Sequence, residues 1–451
     1  MFRIKQNIAI RKFTAVQQLA VGFIVLTLLG AMALMLPVST KDEAISFVDA
    51  LFTAASAITT TGLGVVDTGS YFSIFGQLII IILVQLGGLG YMIFLALLFT
   101  GFSTRLSFSS RDLLSESIAG PSSEEILSFS RKVILFTLFF ELTGTIMLAV
   151  YWSGFYPAGK ALYFGFFHSV SAFCTAGFML LPDGFTGFRE SVFFNLTINL
   201  ICICGSIGFY VLNDVYIYSK AIFKRKYPRG FSEHTRLAVF IMLVLITAGT
   251  VAGCVISSGP VTAESTQRLL DSSFQVITAS TTTGFNTVAI GALATPFLWI
   301  LIVLMFIGSG PGSTGGGIKT TTFGIILLSI RSTLTGRQEV LLYRRNVPVK
   351  MIMKAYSVAF IGLIIIALVL CIMLVSEGEF PFQSILFEIT SAFGTVGLST
   401  GITPLLSGVG KVLITLVMLI GRIGPVAIGY SLIGKRMVPD IKYPGADILI
   451  G

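Results

Sequence analysis

Four short runs in the chain carry a threonine two places before a glycine: Thr59-Thr60-Thr61-Gly62, Cys174-Thr175-Ala176-Gly177, Thr281-Thr282-Thr283-Gly284 and Gly394-Thr395-Val396-Gly397. No histidine or carboxylate recurs with them, so the chemistry they offer lies in backbone carbonyls. Four such turns gathered around one axis can replace the water shell of an alkali cation. Losing that shell without replacement would cost on the order of tens of kcal/mol. Glycine suits the end of each turn because it enters left-handed conformations without steric cost.

The segments that must position these turns repeat as well. The four glycines are 115, 107 and 113 residues apart. Ten places before them stand Phe52, Phe167, Phe274 and Phe387; five before, Ala57, Ala172, Ala279 and Ala392; six before, Ser56, Ser171, Thr278 and Ser391. Matches in register over the whole length are the signature of an internal repeat. Each unit reads as span, short re-entrant helix, Thr-x-Gly turn, span, and irregular backbone at that depth is tolerated only where it lines a water-filled cavity. Spans are expected at about 15–36, 73–102, 133–152, 191–218, 237–258, 296–330, 355–375 and 412–434, each able to cross about 30 Å of hydrocarbon. The first has a basic flank but is too long for a signal-peptide core and lacks a cleavage site. The expected fold is an all-α polytopic membrane protein of four membrane–pore–membrane repeats, with eight spanning and four re-entrant helices. The repeats are placed at 1–125, 126–230, 231–345 and 346–451.

Small pairs recur in the second spans, Gly87-Gly88, Gly205-Ser206 and Gly308-Ser309, while the fourth unit has Gly421-Arg422. Small residues let helices approach closely in lipid. Asp49 and Asp271 share a repeat position near the start of the re-entrant helices, where a carboxylate favours the positive dipole end. The opposite ends would then favour a cation in the membrane. Thr53, His168, Gln275 and Glu388, nine before each glycine, are read as hydrogen-bonding residues behind the turns.

Composition agrees with lipid as the solvent. Of 451 residues, 54% are hydrophobic and 11% charged, against about 25% charged in an ordinary soluble domain. Cys174, Cys202, Cys204, Cys254 and Cys371 show neither CxxC nor Cys/His spacing, so no disulfide framework or zinc site is expected. With two histidines and no GxSxG or HExxH, hydrolase and zinc-protease chemistry is excluded. The net charge of +9 would by itself fit a nucleic-acid binder. With the N-terminus inside, however, internal segments hold 23 Lys/Arg against eight Asp/Glu, and external ones five against eleven. That split follows the positive-inside rule, puts both termini in the cytoplasm and argues against a nucleic-acid partner.

The turns and their repeat resemble the superfamily of potassium transporters that includes the Trk, Ktr and plant HKT proteins, over essentially the whole chain. Within it the likeness is to the membrane subunits of bacterial Ktr systems (the KtrB type), because the first repeat begins at once and the tail from Lys442-Tyr443-Pro444 to Gly451 looks Ktr-like. The resemblance implies a potassium filter formed by residues 59–62, 174–177, 281–284 and 394–397, since glycine in all four turns goes with potassium and serine in the first with sodium. It also implies a homodimer in lipid, on a cytoplasmic RCK-type ring of the KtrA or TrkA kind. Any ATP or ADP would bind that partner. No cofactor is expected in the chain itself: K⁺ is cargo, and Na⁺ a possible stimulating ion.

Two features are read as a gate. The sixth span is interrupted by Gly308-Ser309-Gly310-Pro311-Gly312-Ser313-Thr314-Gly315-Gly316-Gly317-Ile318-Lys319-Thr320, which cannot remain a regular helix. It resembles the intramembrane loop below the filter in this superfamily, with Gly310, Gly312, Gly315, Gly316, Gly317 and Lys319 as its gating residues. A phosphate-binding loop is the rival reading, but Ile318 separates Gly317 from Lys319 and breaks the pattern. Arg422, mid-span, is a functional candidate by default; the resemblance gives it the role of narrowing the path. The structural alternative is a salt bridge to Glu141 or Asp214. As rival functions, a secondary transporter should show inverted repeats, and an enzyme lacks a catalytic constellation.

Overall fold

The computed structural model describes residues 15–90, 123–225, 227, 230–256 and 265–424. The described residues are helical apart from one small antiparallel hairpin, Leu341–Leu342 with Arg345–Asn346. Each repeat opens on a long helix: Ala15–Leu34, Ser123–Trp152, Glu233–Ile256 and Val349–Ser376. All four are long and apolar enough to cross a membrane. Their outward faces carry exposed apolar side chains such as Ile146, Val251 and Leu368, a surface suited to lipid rather than water.

Each long helix is followed by a shorter one that ends at the Thr-x-Gly turn: Phe47–Ile58, Ala158–Phe173, Ser265–Ser280 and Phe382–Gly394. The recurring phenylalanines and alanines of these re-entrant helices are fully buried, which explains their periodicity as packing. A second helix then runs away from each turn: Ile74–Leu89, Val192–Ser206, Thr295–Phe306 and Gly408–Ile423. Ser73, Ser191 and Ser407 cap three of these through bonds to the amide three places on, at 3.2–3.3 Å. In the third, Pro296 fills an early helical position, where its missing N–H costs nothing.

These second helices have 12 to 16 residues, about 18–24 Å at 1.5 Å per residue, and stop short of a full crossing. The sequence reading expected an unbroken fourth span over 191–218. Instead the chain turns by 101° between Val192–Ser206 and Phe209–Phe223, at Gly208 with φ +101°. The cause is tertiary: the glycine-rich loop of the third repeat docks there, with Gly310 N–H donating to Ser206 O at 2.8 Å and Phe209 N–H to Gly312 O at 2.9 Å. A side chain at Gly208 would strike the Pro311 carbonyl. The sixth span is broken as expected, into Thr295–Phe306 and Thr320–Leu334. The far ends expected for spans 73–102 and 412–434, the N-terminal arm and the tail lie outside the described residues.

Two ion pairs join neighbouring repeats through acids of the re-entrant helices. Lys411 Nζ lies 2.7 Å from Asp49, and Arg189 Nε donates to Asp271 at 2.8 Å. Asp49 occupies the first helical turn, with its amide on Ser46 Oγ. Asp271, expected near a helix start, instead sits almost two turns in, because that helix begins at Ser265. Its hydrogen bond holds the Arg189 proton more firmly than usual. Asp49→Asn and Lys411→Met should each lower the thermal midpoint of the purified protein slightly. The double variant should show coupling of about 1 kcal/mol or less, as for a partly exposed pair; strict additivity would remove the pair from the list of stabilising contacts.

Candidate functional site

The four turns are built identically. At each re-entrant helix end, the amides of Thr60, Thr175, Thr282 and Thr395 donate three residues back at 3.1–3.2 Å, and those of Thr61, Ala176, Thr283 and Val396 donate five residues back at 2.8 Å. That pair of bonds is a Schellman helix end. The acceptors of the longer bonds are Ser56, Ser171, Thr278 and Ser391. The Ser171 and Thr278 hydroxyls also reach forward to the carbonyls of Phe178 and Phe285 at 2.9 Å, and Ser391 accepts from the Gly397 amide at 3.1 Å. The hydroxyl six places before each glycine is thus a turn-closing position in three repeats.

The left-handed residue at these helix ends is threonine, with φ between +49° and +55° at Thr60, Thr175, Thr282 and Thr395. A β-branched residue there is strained, and four equivalent cases are the kind of outlier that marks a working site. Gly62, Gly177, Gly284 and Gly397 are also at positive φ, while the residues between are not. Alternating handedness aims successive carbonyls to one side of the chain. Among the described residues, no backbone amide donates to the carbonyls of 59–61, 174–176, 281–283 or 394–396.

The turns close on one another in sequence order. A Cβ at Gly62 would strike the carbonyl of Ala176; at Gly177, that of Thr283; at Gly284, that of Val396; and at Gly397, that of Thr61. This cyclic set of contacts makes a four-membered ring. Its diversity lies behind the backbone: Thr59 and Thr61 pair their hydroxyls at 2.7 Å, and Thr281 and Thr283 at 2.9 Å, while Cys174/Ala176 and Gly394/Val396 have no such pair.

Of the residues nine before each glycine, three tie their helix to the chain leaving the turn. His168 Nε2 accepts from the Leu180 amide at 3.1 Å, and Gln275 donates to Thr287 at 3.2 Å. Buried Glu388 accepts from Ser399, Thr403 and the Thr400 amide at 2.7–2.9 Å. Thr53 instead bonds back to Asp49 O at 2.8 Å within its own helix. Glu388→Ala strands the buried Thr403 hydroxyl and two half-buried donors and should cost on the order of 3 kcal/mol. A clear loss of monodisperse protein in detergent is expected; unchanged yield and melting would refute that role.

The glycine-rich loop lies directly against the ring. Gly315 abuts Thr282 Oγ1, Gly316 abuts Thr395 Oγ1, and Gly317 packs on Gly308 and Gly394, while Gly312 packs on the Tyr210 ring. Thr314, which the sequence reading passed over, is the hub: Thr60 Oγ1 donates to its carbonyl and its own hydroxyl meets Thr175 Oγ1, both at 3.1 Å. That hydroxyl also lies 3.1 Å from the carbonyls of Phe173 and Gly205. The one clue in the sequence was a hydroxyl amid glycines. Lys319 Nζ donates to Gly315 O at 2.6 Å and Gly316 O at 3.2 Å.

Arg422 reaches the same loop, donating to the carbonyls of Thr314 and Gly87. It makes no salt bridge to Glu141 or Asp214, the structural alternative. Asp214 instead accepts from the Ser232 and Thr235 hydroxyls at 2.6 Å, and Glu141 lies beside Cys174. The ring, the loop and two cationic side chains thus form one assembly, and no group of His, Cys, Asp and Glu among the described residues could hold a metal ion.

With this geometry in place, the chain can be compared with known proteins. The sequence profile of the family described as TrkH, cation transport protein, matches residues 2–432. The chain is 37% identical over 444 residues to Ktr system potassium uptake protein B of Bacillus subtilis, covering 98% of this chain and 97% of that one. It is 34% identical to the protein of the same name from Vibrio alginolyticus, over 95% of this chain and 93% of that one. With potassium/sodium uptake protein NtpJ of Enterococcus hirae it shares 31% over 98% of each. In architecture it resembles the crystal structure of the potassium transporter TrkH from Vibrio parahaemolyticus, with a TM-score of 0.73 at 17% identity, over 96% of this chain and 86% of that one.

Proposed function

The chain belongs to the TrkH family of cation transport proteins, and from that premise we propose that it takes up potassium across the cytoplasmic membrane by passive conduction through the four-turn ring. The observation that carries this reading is the cyclic closure of Gly62, Gly177, Gly284 and Gly397 on their neighbours' carbonyls. A bare cation on the axis would exchange its water for carbonyls that no backbone amide occupies. The membrane potential supplies about 2.3 kcal/mol per charge per 100 mV.

In this reading residues 59–62, 174–177, 281–284 and 394–397 are the filter, and all four glycines favour potassium. The loop 308–320, held by Lys319 and Arg422, is the gate, and it must withdraw from the filter threonines for ions to pass. Control comes from a cytoplasmic RCK-type ring that binds the nucleotide, beneath a homodimer with both termini inside. The names of the Ktr relatives, which describe a system rather than a single protein, support a regulatory partner.

Cells lacking potassium uptake supply the test. Expression of this chain should restore growth on low potassium, more strongly with a cognate RCK subunit. No rescue under either condition, despite good membrane insertion, would overturn the reading.

A further inference from the structure

One buried acid, Glu141, stands outside the ring and the glycine-rich loop. Glu141 sits mid-way along Ser123–Trp152 and is 7% exposed. Among the described residues of the four long crossing helices, it is the acid placed away from a helix end. An ionisable group at that depth is expensive and calls for a function and a partner. Glu141 meets the first residue of the second turn: the single Cys174 thiol proton is shared between Gln85 Oε1, the nearer acceptor at 3.4 Å, and Glu141 Oε1 at 3.7 Å, and Gln85 also bonds Glu141.

We propose that Glu141 is a positioning residue for the second turn, holding it through the Cys174 thiol and so setting potassium affinity and discrimination at that quarter of the ring. The inference rests on the reading of the four turns as the filter. Turns one and three are stapled internally by the hydroxyl pairs Thr59–Thr61 and Thr281–Thr283. Turn two has Cys174 and Ala176 at those places and cannot form that staple. The clasp from behind takes its place.

The surroundings are shaped for the clasp. A Cβ at Gly88 would come within 2.7 Å of Cys174 Sγ, so the glycine makes room for the thiol. The backbone carbonyl of Glu141 accepts from Ser169 Oγ at 2.8 Å, which fastens the long helix to the re-entrant helix that carries the turn. On its other side the turn is held by Thr175 Oγ1, which donates to Cys174 O at 2.8 Å. Cys174 is therefore fixed at both its side chain and its carbonyl, the first by the Glu141–Gln85 pair and the second by a threonine that touches the gating loop.

The test uses the full chain in liposomes, reading half-saturating potassium and potassium-over-sodium discrimination per inserted molecule. Cys174→Ala and Glu141→Leu should each raise half-saturation about three- to tenfold, the size of one lost hydrogen bond, and reduce discrimination. Combining them should add little beyond either alone, and Glu141→Gln, which keeps an acceptor in place, should recover most of the affinity. A structural role alone would lower the amount of protein without moving either ratio. Unchanged ratios in both single variants, strict additivity, or a Gln variant as poor as Leu would each overturn the proposal. If Glu141→Leu fails to accumulate, Cys174→Ala compared with Gln85→Leu decides: a Gln85→Leu effect as large as that of Cys174→Ala would assign the clasp to Gln85 and overturn the role of Glu141. Gly177→Ala separates the two levels: no effect on either ratio sinks the filter reading, while an effect there with none at Cys174 and Glu141 sinks only the clasp.

Discussion

Gly284→Ala is expected to lower potassium uptake by on the order of 100-fold, equivalent to about 2.7 kcal/mol. Two costs combine. Alanine at φ +85° must adopt a conformation that costs an L-residue roughly 1–2 kcal/mol. The added methyl would also strike the Val396 carbonyl and approach Gly397 Cα to 2.9 Å. Both neighbours belong to the ring, so relief of the clash moves a ring carbonyl. Gly336→Ala isolates the first cost: φ is +66° there, but nothing lies within 4 Å of the added atom. That variant should keep wild-type flux. Rubidium or potassium influx per inserted molecule decides the matter; wild-type influx in Gly284→Ala would remove the ring from the conduction path.

Arg422→Ala is expected to act in the opposite direction, raising flux about tenfold or more when the regulatory subunit is absent. The guanidinium is tied to Thr314 O on the loop and Gly87 O on the second helix of repeat one. A hydrogen bond to a charged group contributes about 1.5–3 kcal/mol, which is tenfold or more in the population of a displaced loop. Removing the side chain also removes a positive charge from beneath the ring. Lys319→Ala leaves Arg422 in place and should have the smaller effect, although its ammonium bridges Gly315 O and Gly316 O. Flux measured with and without the partner discriminates: a fall proportional to lost protein would make Arg422 a folding residue. Among the described residues no acid forms a salt bridge with it, which argues against a buried ion pair, whose breaking would be the usual reason for such a loss.

Much of this was legible because each repeated position meets the same physical demand four times. Phe at ten before the glycine and Ala at five before are core positions of a tightly packed re-entrant helix, and a hydroxyl at six before closes the turn in three repeats. Other features were hidden because their causes are distant in sequence. The bend at Gly208 exists since the Pro311–Gly312 backbone docks there, about a hundred residues away. Thr314 gains its place only when turns one and two and Arg422 converge on it. Asp271 serves Arg189 of the preceding repeat rather than its own helix end. Expectation put the strain of each turn on glycine, but half of it falls on threonine, where local propensity argues against it.

By itself the sequence determined the solvent, the four-unit plan, the residues of the turns and the site of the interrupted helix, because apolar length, periodicity and helix-breaking residues act locally. Tertiary structure alone decided that the ring closes glycine against carbonyl in chain order, that its turns are held from behind by different means, and which carbonyls Arg422 takes instead of an acid. The ring closure and the Arg422 contacts join segments a hundred or more residues apart, and their geometry exists only once the four repeats have packed around a common axis.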